Sequence, residues 1–448
     1  MKPIHLIAFI PFSLLLVNCS DDNASNTSND AQTVTISQVS TRDKLDRLYA
    51  KFFNELKQLK PLDTTNKDKH QELQQSYLEQ LLGIDSSSLS RSQLMYYQVF
   101  KRQREIALRG LAFNRLVTQT VAPVATNPSV CLSNTSLPAH RPANTANETL
   151  AITAAEYNYL IDYYTTTALT GDQLHRLGKA EVSRLQQRLQ KRLGDISEID
   201  SLSALTDKLS SSPTRYDESR SAMAKAYTAM QQDIAKYLTK VITIPPSIKP
   251  QLTFSATGCE PSARPRWDKT AWLLHHQLPG HQLQLALQQS LEHLPQFISY
   301  SYLPVYHQGW ALYAESLADE LGLEQATDEQ QLGVLLSELR QTALMVADTG
   351  LHAKGWAQQQ MLDYLLDNAA MTAQQAATAL EQIRANPGQA LAAKTGQLKI
   401  NELRREAEQK LGSHFDLVAF HHMLLNDGPL PLNLLQQKAK RWIVERRP

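Results

Sequence analysis

Apolar side chains recur at helical spacing along most of the chain. Leu73, Tyr77, Leu78, Leu81 and Leu82 form a stripe that stops at Gly83, and Ser90 with Gln93 has the form of a capping box for the next helix. Thr170 and Gln173 repeat that start ahead of Leu174, Leu177, Val182, Leu185 and Leu189. A further helix is predicted over Ser219 to Thr239, carrying Met223, Tyr227, Met230, Ile234 and Leu238. Thr327-Asp328-Glu329-Gln330 opens another, bearing Leu332, Leu335, Leu336, Leu339, Ala343 and Val346. Thr372 and Gln375 open one that stops near Asn386-Pro387-Gly388, and Ile400 to Leu411 precedes the hydrophobic run FDLVAFHHMLL. Two stretches interrupt the pattern. Residues 117–148, with Pro123, Pro128, Pro138 and Pro142, read as a surface loop or boundary. Val241 to Phe254 has room for one short edge strand, because proline cannot serve in a central ladder. The expected fold is mainly α, one large multi-helical domain over 34–448 with at most minor β structure.

Composition narrows this little. A chain of 448 residues can bury a large core, and its formal charge of +1 gives no reason to expect nucleic acid or an acidic membrane as main partner. There is no internal repeat, no glycine-rich phosphate cradle and no basic-aromatic stripe.

The N-terminus carries compartment information. Residues 1–18 have an early Lys2 and an apolar run, Leu6 to Val17, too short to span a bilayer well, and so read as a secretory signal. Leu16-Val17-Asn18-Cys19 resembles the bacterial lipoprotein processing box, in which Cys19 would receive lipid; an ordinary signal peptide cut nearby is the alternative. Residues 19–33 are almost devoid of apolar side chains after the cysteine and read as a flexible tether. The expected location is the periplasmic face of a bacterial envelope, held by lipid alone, with Ser20 after the cysteine pointing to the outer membrane. Cys131 and Cys259 then remain as a pair in an oxidising compartment, either joined as a disulfide or kept as separate buried thiols.

Candidate chemistry concentrates in WLLHHQLPGHQLQ, Trp272 to Gln284. Zinc needs neutral imidazoles or anionic ligands within about 2.0–2.2 Å, plus an open position for hydrolysis. His275 and His281 are six apart, about 600 degrees of ideal helix, so only a bend at Pro279-Gly280 would bring them together. Gln308 and Glu315 fall on one face of the next helical stretch; Glu315 can reach a metal or be a solvated carboxylate, and Gln308 offers only a neutral carbonyl. Asp348 and His352 are four apart, with Gly350 between them suggesting a helix end; they read as a carboxylate-imidazole pair, or as a turn cap.

These segments, in order, resemble the bacterial family numbered DUF885, whose members look like helical metallopeptidases and are often lipoproteins. The family pattern HExxPGHHLQ, EGWALYAE, RLVVDTGxHxxGW, a segment ending in LR, and FHxxLLxxGPLPL is matched by HHQLPGHQLQ, QGWALYAE, LMVADTGLHAKGW, PGQALAAKTGQLKINELR and FHHMLLNDGPLPL. The resemblance implies a gluzincin-like domain. It also implies metal candidates His275, His281 and Glu315, catalytic candidates His276, Asp348 and His352, and ligand-binding candidates Gln308, Trp310 and Tyr313. The departures fall on polar positions: His276 replaces the glutamate resembling a general base, Gln282 a second histidine, Gln308 a glutamate resembling a metal ligand, Leu344 an arginine and Ala393 a tyrosine. General base catalysis is typically worth 10²–10⁴-fold. The expectation is therefore a catalytically degenerate binding or scaffold module, holding zinc weakly or not at all and taking a peptide or peptide-like ligand. The alternative is an active zinc hydrolase with a rearranged site.

Overall fold

Polar pairs at helix starts do what their spacing predicts. In the computed structural model, Ser90 with Gln93 and Thr372 with Gln375 form complete capping boxes, and Thr170 and Gln173 exchange the same two hydrogen bonds at 2.8 and 3.2 Å. The structure describes residues 40–60, 65–113, 152–193, 202–211, 220–246, 248, 266–323 and 328–447, all within the compact unit Ser40–Pro448. The predicted signal and tether, the 117–148 loop, Cys19, Cys131 and Cys259 lie outside the described residues.

The described elements are helical throughout. The first group is α1 (Thr41–Gln58), α2 (Lys67–Leu82), α3 (Arg91–Ala112), α4 (Ala154–Thr165), α5 (Gly171–Leu193), α6 (Leu202–Ser211) and α7 (Arg220–Tyr237). Next come α8 (Lys269–His276), α9 (His281–Ser290), α10 (Gln296–Ser299), α11 (Pro304–Glu315) and α12 (Asp328–Ala353). The chain closes with α13 (Gln358–Asn368), α14 (Ala373–Ala385), α15 (Leu391–Leu411), α16 (Leu417–Leu425) and α17 (Leu432–Glu445). No strand occurs among the described residues. The edge strand allowed for Val241 to Phe254 is absent from its described part, where a turn at Val241 leads into irregular chain bearing Pro245 and Pro246.

Two cores organise the helices. One joins α1–α3 to the C-terminal helices through Phe52, Phe100, Tyr306, Trp310, Leu403 and Phe420; the other packs α5 and α12 against α13 and α14 through Leu185, Leu336, Leu339, Met361 and Leu380. The stripe expected on α2 is rotated. His70, Gln74, Tyr77 and Leu81 point inward at helical spacing, whereas Leu82 is 53% exposed. Burial of polar His70 and Gln74 is a tertiary outcome that periodicity of apolar residues does not reveal.

Glycines set two positions that matter for the site. A Cβ on Gly309 of α11 would stand 2.5 Å from Gly396 Cα of α15, so this pair lets the two backbones cross in direct contact. Gly350 does not end its helix as its position suggested: α12 runs through it to Ala353, and a Cβ there would lie 2.2 Å from the Trp356 ring. The glycine makes room for an indole packed against the helix.

Candidate functional site

The histidine segment is two helices, not one. α8 ends at His276 and α9 begins at His281; between them the chain folds back so tightly that a Cβ on Gly280 would sit 1.9 Å from the His275 carbonyl oxygen. The Leu278–Pro279 peptide is cis. Trp310 of α11 donates its indole N–H to the Pro279 carbonyl at 2.9 Å and ties this turn to the neighbouring helix. The fold-back cancels the angular separation expected on a continuous helix. The rings of His275 and His281 meet with centroids 5.0 Å apart, and the half-buried His276 ring lies 4.7 Å from His275 and 6.2 Å from His281.

α11 answers with two side chains. Glu315, only 2% exposed, is no solvated carboxylate: its Oε1 lies 2.7 Å from His275 Nδ1. One turn pair earlier, Gln308 donates to the Tyr302 hydroxyl at 2.8 Å and reaches the His281 ring. Residues 308 and 315 thus face α8 and α9 as their spacing implies, but each serves a different histidine.

Burial dominates the electrostatics. It pushes the Glu315 carboxyl well above the usual carboxylate range, opposed by a Ser337 hydrogen bond and reinforced by nearby Glu338 and Asp268. It also drives His281 well below the usual imidazole range, helped by His275 and opposed by Gln308. Glu315 and His281 therefore both favour their neutral forms.

Its fit to zinc can be tested donor by donor. A metal-bound histidine commonly donates its second ring nitrogen to a carboxylate, and Glu315 occupies that orienting place on His275 rather than a ligand place. What is left is His275 Nε2, the His281 ring, whose buried Nδ1 has no partner, the second Glu315 oxygen, buried and likewise without a partner, and the Gln308 carboxamide. No group of three His, Cys, Asp or Glu side chains among the described residues could hold a metal ion. Two imidazoles, a neutral amide and a carboxyl that burial holds toward its neutral form and that already pairs with His275 do not fit a zinc hydrolase centre, in which anionic or three-imidazole sets are the rule.

The remaining candidates are held elsewhere. Asp348 accepts from the Tyr157 hydroxyl at 2.6 Å and from the Gly388 backbone N–H at 2.9 Å, while His352 Nε2 lies 3.2 Å from the Ile383 carbonyl. They share no hydrogen bond, although His352 lowers the proton affinity of the Asp348 carboxyl against the burial that raises it, and Asp348 caps the Asn386-Pro387-Gly388 turn. Tyr313, fully enclosed, donates to His421 Nε2 at 2.8 Å and accepts from Arg404 at 3.1 Å, and His421 Nδ1 donates to the Val241 carbonyl at 2.6 Å. The carbonyl can only accept, which fixes the direction of this chain. Trp310 and Tyr313 therefore have their polar atoms committed to the protein.

One buried cluster escaped the sequence reading. Lys394 of α15 is 0% exposed, donates to Glu338 Oε1 at 2.7 Å and Gln397 Oε1 at 2.9 Å, and lies 3.1 Å from Glu181 Oε2; Arg184 bridges the two glutamates. Burial works against Glu181, yet Arg184 and Lys394 hold its carboxyl below the usual range. The one available signal was a lysine inside the small-residue run Leu391-Ala392-Ala393-Lys394-Thr395-Gly396.

The family described as "Bacterial protein of unknown function (DUF885)" matches residues 131–253 and 250–438. No curated protein matches the chain. Among solved structures, a candidate lipoprotein from Colwellia psychrerythraea shares the fold, with a TM-score of 0.59 at 21% identity over 91% of this chain and 70% of that one. A candidate lipoprotein of unknown function from Shewanella oneidensis aligns at a TM-score of 0.49 and 15% identity, over 90% of this chain and 79% of that one.

Proposed function

The chain belongs to this DUF885 family of bacterial proteins of unknown function, and from that premise we propose that it is a lipid-anchored envelope protein that binds a peptide-like ligand without hydrolysing it. The observation that carries the reading is the commitment of Glu315 to His275, which leaves Gln308 as the third donor beside two imidazoles. With its one carboxyl paired to His275 and favouring the neutral form, the site holds a divalent cation weakly and activates bound water poorly. His276 in place of a carboxylate changes the reach and the proton affinity of the candidate base. Anchoring rests on Cys19 and the leader before it; no helix among the described residues is long and apolar enough to cross a membrane.

The retained His275–Glu315 pair favours one competing reading, an active hydrolase with rearranged ligands, because such a pair is how a metal-binding imidazole is oriented. Elemental analysis of purified, zinc-supplemented protein separates the two. The binding-module reading expects zinc well below one ion per chain and no peptide cleavage. One firmly held zinc per chain, with cleavage lost in His275→Ala, would establish the hydrolase.

A further inference from the structure

We propose that the N-terminal helices carry a second site, an oxyanion receptor built on the Arg104 guanidinium where α3 meets α1. Arg104 is only 5% exposed. Its guanidinium carbon lies 3.6 Å from the centroid of Phe52 on α1 and 4.5 Å from that of Phe100, one turn back on α3. Nε and Nη1 are enclosed without a hydrogen-bond partner. No described carboxylate bears on the group, and burial alone pulls it well below the usual guanidinium range. Its helix neighbours differ: Arg102 and Arg109 both pair with Asp162, at 2.6 and 2.5 Å.

A guanidinium has five N–H donors and no acceptor, so only an acceptor can complete it. The faces of Phe52 and Phe100 attract the charge but fill none of the donor positions in the guanidinium plane. A buried charge without a counter-charge is disfavoured, and removal of the charge is closed to arginine. Nη2 is the one nitrogen of the head not enclosed, which gives the direction of approach. An oxyanion arriving there accepts from Nη2, the charge-assisted hydrogen bond that a guanidinium gives to carboxylate and phosphate. The ligand class is therefore a phosphate or carboxylate group, and none of these residues belongs to the His275–Glu315 site.

Thermal unfolding of the purified protein tests this, with inorganic phosphate and acetate in separate arms against sodium chloride at equal ionic strength. The expected result is a saturable rise in midpoint beyond the chloride control with at least one oxyanion. It should be retained in Lys101→Gln, a nearby surface cation paired with Glu105, and absent in Arg104→Met. Should Arg104→Met fail to fold, broadening of the phosphate or acetate NMR signal by wild type and Lys101→Gln, lost in Arg104→Lys, gives the same answer. The proposal is overturned if neither oxyanion exceeds the chloride control, or if the Arg104 variants respond as wild type does.

Discussion

Glu315 Oε1 lies 2.7 Å from His275 Nδ1, and neither side chain has appreciable access to solvent. The contact joins the end of α8 to the end of α11 and makes a carboxyl the orienting partner of an imidazole. Replacing Glu315 by alanine leaves a buried ring nitrogen unsatisfied, at a cost of about 1–3 kcal/mol. Glu315→Gln keeps a hydrogen-bonding group of the same shape. Its folded-state carboxyl is raised, so the folded protein binds the proton more tightly than the unfolded chain, and wild type loses this contribution as pH rises above the ordinary value of 4.5. The stability of Glu315→Gln relative to wild type should therefore increase with pH across that range in urea titrations. A pH-independent difference would remove the argument.

Adding charge at position 308 should raise metal affinity. Gln308→Glu places a carboxylate beside His281, and zinc binding measured by calorimetry is expected to tighten at least about tenfold, the size of a modest charge-assisted gain. The apo variant should lose about 1–3 kcal/mol through carboxyl burial. Equal zinc affinity in wild type and variant would show that residue 308 does not control the site.

Acid should weaken the fold through two histidines buried in neutral form. Burial lowers His421 to about 4, opposed by its bond to Val241 and aided by Arg404; burial likewise lowers His307 to about 3, opposed by its Leu303 backbone bond. Both values lie below the unfolded 6.5, so the unfolded chain takes up protons first. The stabilising contribution is complete above pH 6.5 and is lost as pH falls through about 4 and then about 3. For His421 alone the loss is roughly 3 kcal/mol. His421→Gln should show a shallower decline in urea midpoint between pH 6.5 and 4 than wild type; parallel declines would exclude His421 as a source.

The Lys394 cluster should behave as a unit. Lys394→Met leaves Glu181 and Glu338 close together with only partly exposed Arg184 and Arg188 to offset them, a loss on the order of 3 kcal/mol. Adding Glu181→Gln and Glu338→Gln should recover part of that loss. Stability of Lys394→Met within about 0.5 kcal/mol of wild type would mean that the surrounding arginines suffice.

Gly350→Ala separates two effects by sign. Helix propensity alone favours alanine by about 1 kcal/mol in a helix interior. Contact with Trp356 predicts the reverse, a loss of about 1–3 kcal/mol from overpacking, with a shift in tryptophan fluorescence. A stabilised variant with unchanged fluorescence would show that the indole gives way at no cost.

Local order was legible because it is encoded within a few residues. The capping pairs at Ser90, Thr170 and Thr372, the helical stripes after them and the stop at Asn386-Pro387-Gly388 each depend on neighbours three or four positions away. The two segments that carry the unusual polar residues, around His275 and over Gln308–Glu315, were also visible in the sequence. What pairing each group makes was not. Glu315 and His275 are 40 positions apart, and Asp348 finds Tyr157 and Gly388 on other elements. The glycine at 350 also suggested a helix end, where space for Trp356 was the deciding need, and periodicity passed over Lys394, which is buried only because Glu181 and Glu338 arrive from α5 and α12. Short-range spacing determines where a helix starts and which face is apolar. Whether a polar side chain on that face meets solvent, a carbonyl or an opposite charge is decided by what the tertiary fold brings against it, because burial makes the partner's identity set the energy.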